Sequence, residues 1–239
     1  MSKRKAFFDS GLGGLTVLSK AMDELPNEDF LFFADTLHVP YGVKKTEDVK
    51  RYIHQSIEII VQEDLRLWSG CGQAVVIACN TATSLVISEL RDKYTIPVIG
   101  MELAVKPAVE INRFIGKRVL VFATAITLKE SKFIDLVHRV DDLNIVDSLP
   151  LPELVEFCET LNFDKKVIKE YFISKLESYD LDEYGTVVHG CTHYPFYKQI
   201  LKELLPEHIQ IIDGSNGTIK RLTQVLKVHS LLNLNGNRT

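Results

Sequence analysis

Two short stretches constrain the fold of this 239-residue chain more than any others. In Val75-Val76-Ile77-Ala78-Cys79-Asn80-Thr81-Ala82-Thr83 an apolar run meets a cysteine, and small amide and hydroxyl residues follow. In Val187-Val188-His189-Gly190-Cys191-Thr192-His193-Tyr194-Pro195 a similar order returns, with the cysteine 112 residues later. The apolar runs read as buried strands, and residues 85–93 and 196–205 read as the helices that follow. Each cysteine then falls where a strand ends and a helix begins. Unpaired backbone N–H groups and the helix dipole favour negative charge there, which suits a thiolate or a bound carboxylate. The repetition predicts two similar half-proteins, with two thiols flanking one ligand if the halves face each other.

The rest of the chain alternates in the same way. Strands are expected at 6–8, 30–34, 96–100, 118–123, 145–149 and 209–212. Helices are expected at 15–25, 46–70, 104–114, from 128, and at 154–161, 165–177 and 218–231, with a frayed tail at 233–239. This alternation predicts an α/β protein with mostly parallel sheets. Ligands in such folds bind outside the carboxyl ends of the strands, where Asp9, Ser10, Cys79, Asn80, Thr124, Cys191, Thr192 and His193 all fall. The turn Ser10-Gly11-Leu12-Gly13-Gly14 lacks the Lys-Ser/Thr of a P-loop and the dinucleotide spacing. It reads as a tight turn that lets a ligand approach the backbone. Ile53, Ile57, Ile60 and Val61 form an apolar stripe that Trp68 is expected to cover. Cys71 reads as incidental, Cys158 as core, and His189 as a pocket wall or a satisfied core histidine.

Composition narrows the function. The chain is 46% hydrophobic and 25% charged, ordinary for a globular protein, and its net charge of -4 gives no sign of nucleic-acid or membrane binding. No apolar run reaches the length of a membrane span. Only Ala6-Phe7-Phe8 separates the basic start from Asp9, too short for a signal peptide. A cytoplasmic location and four reduced cysteines are expected.

Two thiols on either side of a small ligand suit a two-base reaction. One thiolate removes a proton from carbon, and the other thiol returns a proton to the opposite face, giving the mirror image. An α-proton beside a carboxylate is very weakly acidic, so the site needs a positioned base, exclusion of water and donors aimed at the developing charge. Asp9 is placed to serve Cys79, and His193 to serve Cys191. A single buried cysteine is more often structural than catalytic. Cys191-Thr192-His193 does not have a standard zinc spacing, and the chain has no C-x-x-C.

Several segments, in order along the chain, carry a resemblance. They are Phe8-Asp9-Ser10-Gly11-Leu12-Gly13-Gly14, Asp35 with Pro40-Tyr41-Gly42, Ala78-Cys79-Asn80-Thr81-Ala82-Thr83, Thr124-Ala125-Ile126-Thr127, Gly190-Cys191-Thr192-His193-Tyr194-Pro195 and Ile212-Asp213-Gly214-Ser215. Together they resemble the glutamate racemase family of the aspartate/glutamate racemase superfamily. The resemblance implies two pseudo-symmetric Rossmann-like α/β domains with the active site between them. One domain would comprise 1–97 plus 208–239 and the other 98–207. It implies interconversion of L- and D-glutamate for peptidoglycan synthesis by a homodimer, with no cofactor and no metal. Carried over, Cys79 would take the proton from D-glutamate and Cys191 the proton from L-glutamate. Asp9 would assist Cys79, while His193 and Glu156 would assist Cys191. Ser10, Pro40, Tyr41, Gly42, Asn80, Thr81, Thr124, Thr127 and Thr192 would hold the amino and carboxyl groups. Leu103 departs from the family, where a proline is common, so the resemblance does not settle that part of the pocket wall or the dimer contacts. Aspartate racemisation is the alternative reaction, since one methylene discriminates weakly. A non-catalytic protein that binds acidic amino acids is the alternative of another class.

Overall fold

The computed structural model describes residues 4–68 and 74–233, with side chains described for the same residues apart from 63–68. The expectations for Cys71, for the packing of Trp68 and for the tail beyond Asn233 lie outside the described residues.

The first half contains strands β1 (Arg4–Asp9), β2 (Asp29–Ala34), β3 (Ala74–Ile77) and β4 (Val98–Gly100), with helices α1 (Leu15–Glu24), α2 (Thr46–Trp68) and α3 (Asn80–Lys93). The second contains β5 (Arg118–Ala123), β6 (Val146–Pro150), β7 (Tyr184–Gly190) and β8 (Gln210–Asp213). Its helices are α4 (Val105–Ile115), α5 (Ala125–Lys129), α6 (Ser131–Val140), α7 (Glu153–Glu159), α8 (Lys165–Leu176) and α9 (Lys198–Lys202). The last helix, α10 (Ser215–Val228), follows β8.

Each half has one four-stranded sheet, in the orders β2-β1-β3-β4 and β6-β5-β7-β8, and every pairing is parallel. The order of connections is identical in the two. Cys79 after β3 and Cys191 after β7 therefore occupy matching places, as do Ser10 after β1 and Thr124 after β5. The central strands β3 and β7 are buried throughout, because helices cover both faces of a parallel sheet. Val49, Ile53, Ile57 and Ile60 of α2 recur every three to four residues and turn inward onto the first sheet.

Sheet membership moves both expected boundaries. β4 pairs with β3 in the first sheet, so 98–100 lies with the first half rather than opening the second. β8 pairs with β7, so 210–213 completes the second sheet. The chain returns to the first half only with α10, whose Ile219, Leu222 and Leu226 pack with Val17 and Ala21 of α1. The residues after α10 close over a buried ion pair. Lys5 Nζ lies 2.6 Å from Glu28 Oε2 and donates to Leu231 O at 3.1 Å, while Asn233 N donates to Glu28 Oε1 at 2.8 Å.

Three helices begin three or more residues before their expected starts, two of them because site residues serve as caps. α3 starts at Asn80 rather than 85, with Cys79 Sγ accepting the Ala82 N–H at 3.4 Å. α5 starts at Ala125 rather than 128, with Thr124 Oγ1 accepting the Thr127 N–H at 3.3 Å. α10 starts at Ser215 rather than 218, where Asp213 Oδ1 accepts the Ser215 N–H at 2.8 Å. The expected helix at 196–205 is instead a 3-10 turn, Tyr194–Tyr197, running into the short α9. Cys191 therefore does not cap a helix: its carbonyl accepts the Tyr194 N–H at 3.2 Å, and its thiol stays available to the site.

Candidate active site

Asp9 is fully buried at the end of β1. Its carboxylate accepts the Gly11 N–H at 3.1 Å and the Thr192 hydroxyl at 3.2 Å. Burial raises its pKa, and the positive charge of His193 with the hydrogen bonds partly offsets this, leaving it at about 6.

Cys79 is buried beside it and donates to Ser10 Oγ at 3.5 Å. Burial and then the negative charge of Asp9 push its pKa up to about 12, against the lowering effect of the Ala82 N–H and Ser10. This corrects the expectation of a thiolate stabilised by the helix end. The N–H contact is present, but at this depth of burial desolvation outweighs the dipole. Cys79 therefore stands as a neutral thiol, a proton donor in waiting.

Cys191 stands differently. Its Sγ lies 3.6 Å from His193 Nδ1, and His193 Nε2 lies 2.6 Å from Glu159 Oε1. Burial lowers the pKa of His193, but the hydrogen bonds to Cys191 and Glu159 and the charges of Cys191 and Asp9 outweigh it and hold it at about 10. The ring is an imidazolium at neutral pH, donating towards the sulfur on one side and to a carboxylate on the other.

The carboxylate on His193 is Glu159, not Glu156. Helix α7 buries Leu154, Val155 and Cys158, which puts Glu156 on the opposite, exposed side. Glu159 lies one turn beyond Val155 and returns towards the buried face. A helical wheel drawn on the buried residues carries this signal. Glu159 also accepts the Leu12 N–H at 2.7 Å, tying the first half to the second.

The glycine-rich turn makes close contact between the halves. A Cβ on Gly11 would lie 2.0 Å from Glu159 Oε1, and one on Gly13 would lie 2.4 Å from Thr192 Oγ1 and 2.6 Å from His193 Nδ1. Thr16 Oγ1 adds a bond to Thr192 O at 3.1 Å.

Six of the nine expected binding residues line a cavity with the two thiols, and Pro40, Thr127 and Thr192 lie outside its lining. That cavity is lined by Ser10, Tyr41, Gly42, Cys79, Asn80, Thr81, Thr124, Val155, Cys191 and His193. Its free volume is about 10 Å³, room for about one water molecule. Thr81, Thr124 and Thr127 hydrogen-bond one another at 2.9–3.1 Å, forming a hydroxyl triangle that spans the halves. Asn80 is buried beside Cys79, and neither atom of its amide has a partner among the described residues. Thr192 is engaged by Asp9, and Pro40 precedes the 3-10 turn Tyr41–Val43 that forms one wall. Among the described residues no group of three or more His, Cys, Asp or Glu side chains is arranged to hold a metal, and no helix is long and apolar enough to cross a membrane.

His189 is core, as one of its two expected readings had it, but it is not satisfied. Both ring nitrogens are buried without a hydrogen-bond partner among the described residues, the ring lying between Phe122 and Tyr194. Burial lowers its pKa to about 3 from 6.5. The unfolded chain therefore takes up a proton near pH 6.5 that the folded chain refuses until about pH 3. Stability is complete above the higher value and falls as pH drops below it, by about 1.4 kcal/mol per pH unit. Replacing His189 with Leu is expected to raise stability by about 1–3 kcal/mol at neutral pH, since no polar atom is then orphaned. Urea unfolding from pH 7 to pH 5 should also show a flatter acid limb for the variant.

Comparison with known proteins places the whole chain among racemases in sequence and fold. Residues 18–222 match the model of the Asp/Glu/Hydantoin racemase family. A glutamate racemase from Halothermothrix orenii is 47% identical over 223 residues, 93% of this chain and 85% of that protein. The crystal structure of a glutamate racemase from Bacillus anthracis superposes with a TM-score of 0.82 at 27% identity, covering 100% of this chain and 86% of that one. The glutamate racemase of Francisella tularensis, in complex with D-glutamate, superposes with a TM-score of 0.82 at 26% identity, over 99% of this chain and 86% of that one.

Proposed function

This chain belongs to the Asp/Glu/hydantoin racemase family, and we propose that it interconverts L- and D-glutamate by passing protons between the substrate α-carbon, Cys79 and Cys191. The observation that carries this reading is one cavity lined by two thiols, one from each half, each with its own proton-handling partner. The glutamate racemases that resemble the chain over nearly all its length support glutamate as the substrate.

In the L-to-D direction Cys191, beside the His193 imidazolium, takes the α-proton. Cys79, held as a neutral thiol, gives its proton to the other face. The product leaves with Cys191 protonated and Cys79 as thiolate, the arrangement that runs the reverse reaction. Asp9, at about 6, exchanges protons with Cys79 near neutral pH. The Thr81–Thr124–Thr127 triangle, Asn80 and the N-terminus of α3 supply donors for the substrate carboxylate and the charge that develops on it. These groups do this work without a cofactor. A cavity with room for one water cannot hold glutamate, so the halves separate to admit it, breaking the Leu12–Glu159, Thr16–Thr192 and Asp9–Thr192 contacts.

The test is proton NMR in deuterium oxide under reducing conditions, with L-glutamate and L-aspartate in separate tubes and no pyridoxal phosphate or metal added. Loss of the glutamate α-proton with D-glutamate appearing is the expected result. Exchange with aspartate alone would overturn the substrate, and no exchange with either would overturn the reaction. Glu159→Gln is expected to lower kcat/KM by about 10²-fold, because the imidazolium loses its carboxylate, whereas Glu156→Gln stays within about twofold of wild type. The family resemblance further supports a cytoplasmic homodimer that makes D-glutamate for peptidoglycan. Light scattering of the purified protein tests the dimer.

A further inference from the structure

The Tyr41 ring forms a wall of the thiol cavity, yet its hydroxyl is engaged elsewhere. It donates to Asp35 Oδ2 at 2.6 Å. Asp35 closes β2: its N–H donates to the carbonyl of Asp9 on the neighbouring strand at 3.0 Å, and its carboxylate is buried. The same carboxylate meets His38 Nδ1 at 2.8 and 3.0 Å. His38 in turn lies flat on Tyr52 of α2, ring centroids 3.7 Å apart and 11° from parallel. Asp35, His38 and Tyr41 thus form a knot anchored to a long helix. On its inner side the loop rests on the other half, where a Cβ on Gly42 would lie 2.8 Å from Thr124 Cβ. Thr124 belongs to the hydroxyl triangle.

We propose that Asp35 and His38 are positioning residues for the reaction: they hold the Tyr41–Gly42 wall against Thr124, and so shape the substrate pocket and shield Cys79. Neither touches the reacting atoms, and both act through Tyr41. Without the Asp35 carboxylate, the Tyr41 hydroxyl is buried with no acceptor, which is unfavourable. The ring relieves that cost by turning towards water and drawing Gly42 away from Thr124. If the phenol oxygen is removed as well, nothing drives the wall outward.

The substrate readout rests on the racemase reading above, and a second readout does not. For Asp35→Ala, KM for glutamate is expected to rise about tenfold with kcat changed less than about threefold. Alkylation of Cys79 by N-ethylmaleimide, followed by peptide mass spectrometry at that residue, is expected to accelerate about tenfold. His38→Phe keeps the stack on Tyr52 and loses the bond to Asp35, so about threefold changes in the same two readouts are expected. Asp35→Ala combined with Tyr41→Phe is expected to be no worse than Asp35→Ala alone, the non-additivity of residues acting in series. Asp35→Asn, which keeps an acceptor for Tyr41, covers the case in which Asp35→Ala does not fold, with shifts of about threefold expected. Wild-type KM and wild-type Cys79 alkylation in a folded Asp35 variant would overturn the proposal, as would additive effects in the double variant. Wild-type protein that does not act on glutamate would overturn the substrate alone, since Cys79 alkylation still decides the role of Asp35.

Discussion

Cys79→Ser and Cys191→Ser are each expected to reduce racemisation by about 10³-fold, the scale set by losing a positioned acid or base. A serine hydroxyl is a far weaker acid than a thiol, and neither the α3 N-terminus nor His193 closes that gap. The two variants should fail in different ways. In Cys79→Ser the Cys191–His193–Glu159 chain is intact, so L-glutamate should still lose its α-proton to deuterium oxide slowly, with configuration retained. In Cys191→Ser the residual exchange should favour D-glutamate, served by Cys79 and Asp9. NMR of each enantiomer with each variant makes the check. Residual exchange blind to configuration would count against one base per face. Normal racemisation by both variants would sink the two-thiol mechanism and return the chain to the reading of a binding protein.

The second large effect is on stability. Lys5→Met is expected to cost about 3–5 kcal/mol, because it leaves the Glu28 carboxylate buried without its cation. Both side chains are at most 2% exposed, so solvent does not screen the loss. For a chain of this size the melting temperature should fall by about 10 °C. The double variant Lys5→Met with Glu28→Leu should recover most of that, since a matched apolar pair needs no charge partner. Circular dichroism melts of the wild type, the single and the double variant decide it. A single variant within about 1 kcal/mol of wild type would show that the pair is solvated in solution. Because Leu231 and Asn233 bond to this pair, limited proteolysis should also cut the C-terminal end sooner in the single variant.

Much of the architecture was legible in the chain itself. Strand and helix alternation is written in local periodicity, and the apolar runs before Cys79 and Cys191 announce buried parallel strands. That the two cysteines, Asp9, His193, Thr124 and Thr192 would lie near one another was legible because a parallel sheet gathers the ends of its strands whatever the details of packing. What needed the tertiary structure was pairing across distance. Thr192 and Asp9 are 183 positions apart, and no local pattern says that they share a hydrogen bond. The choice of Glu159 over Glu156 turns on which face of α7 meets the core. That the second half presses against Gly11 and Gly13 is likewise invisible in the sequence. Lys5 read as part of a basic start and instead lies in the core, where Glu28 neutralises it. The protonation of Cys79 follows the same logic. A helix N-terminus is visible in sequence and predicts a thiolate. Only the folded chain reveals how deeply Cys79 is buried with Asp9 beside it, and in a low-dielectric site that burial, with the Asp9 charge, outweighs the dipole.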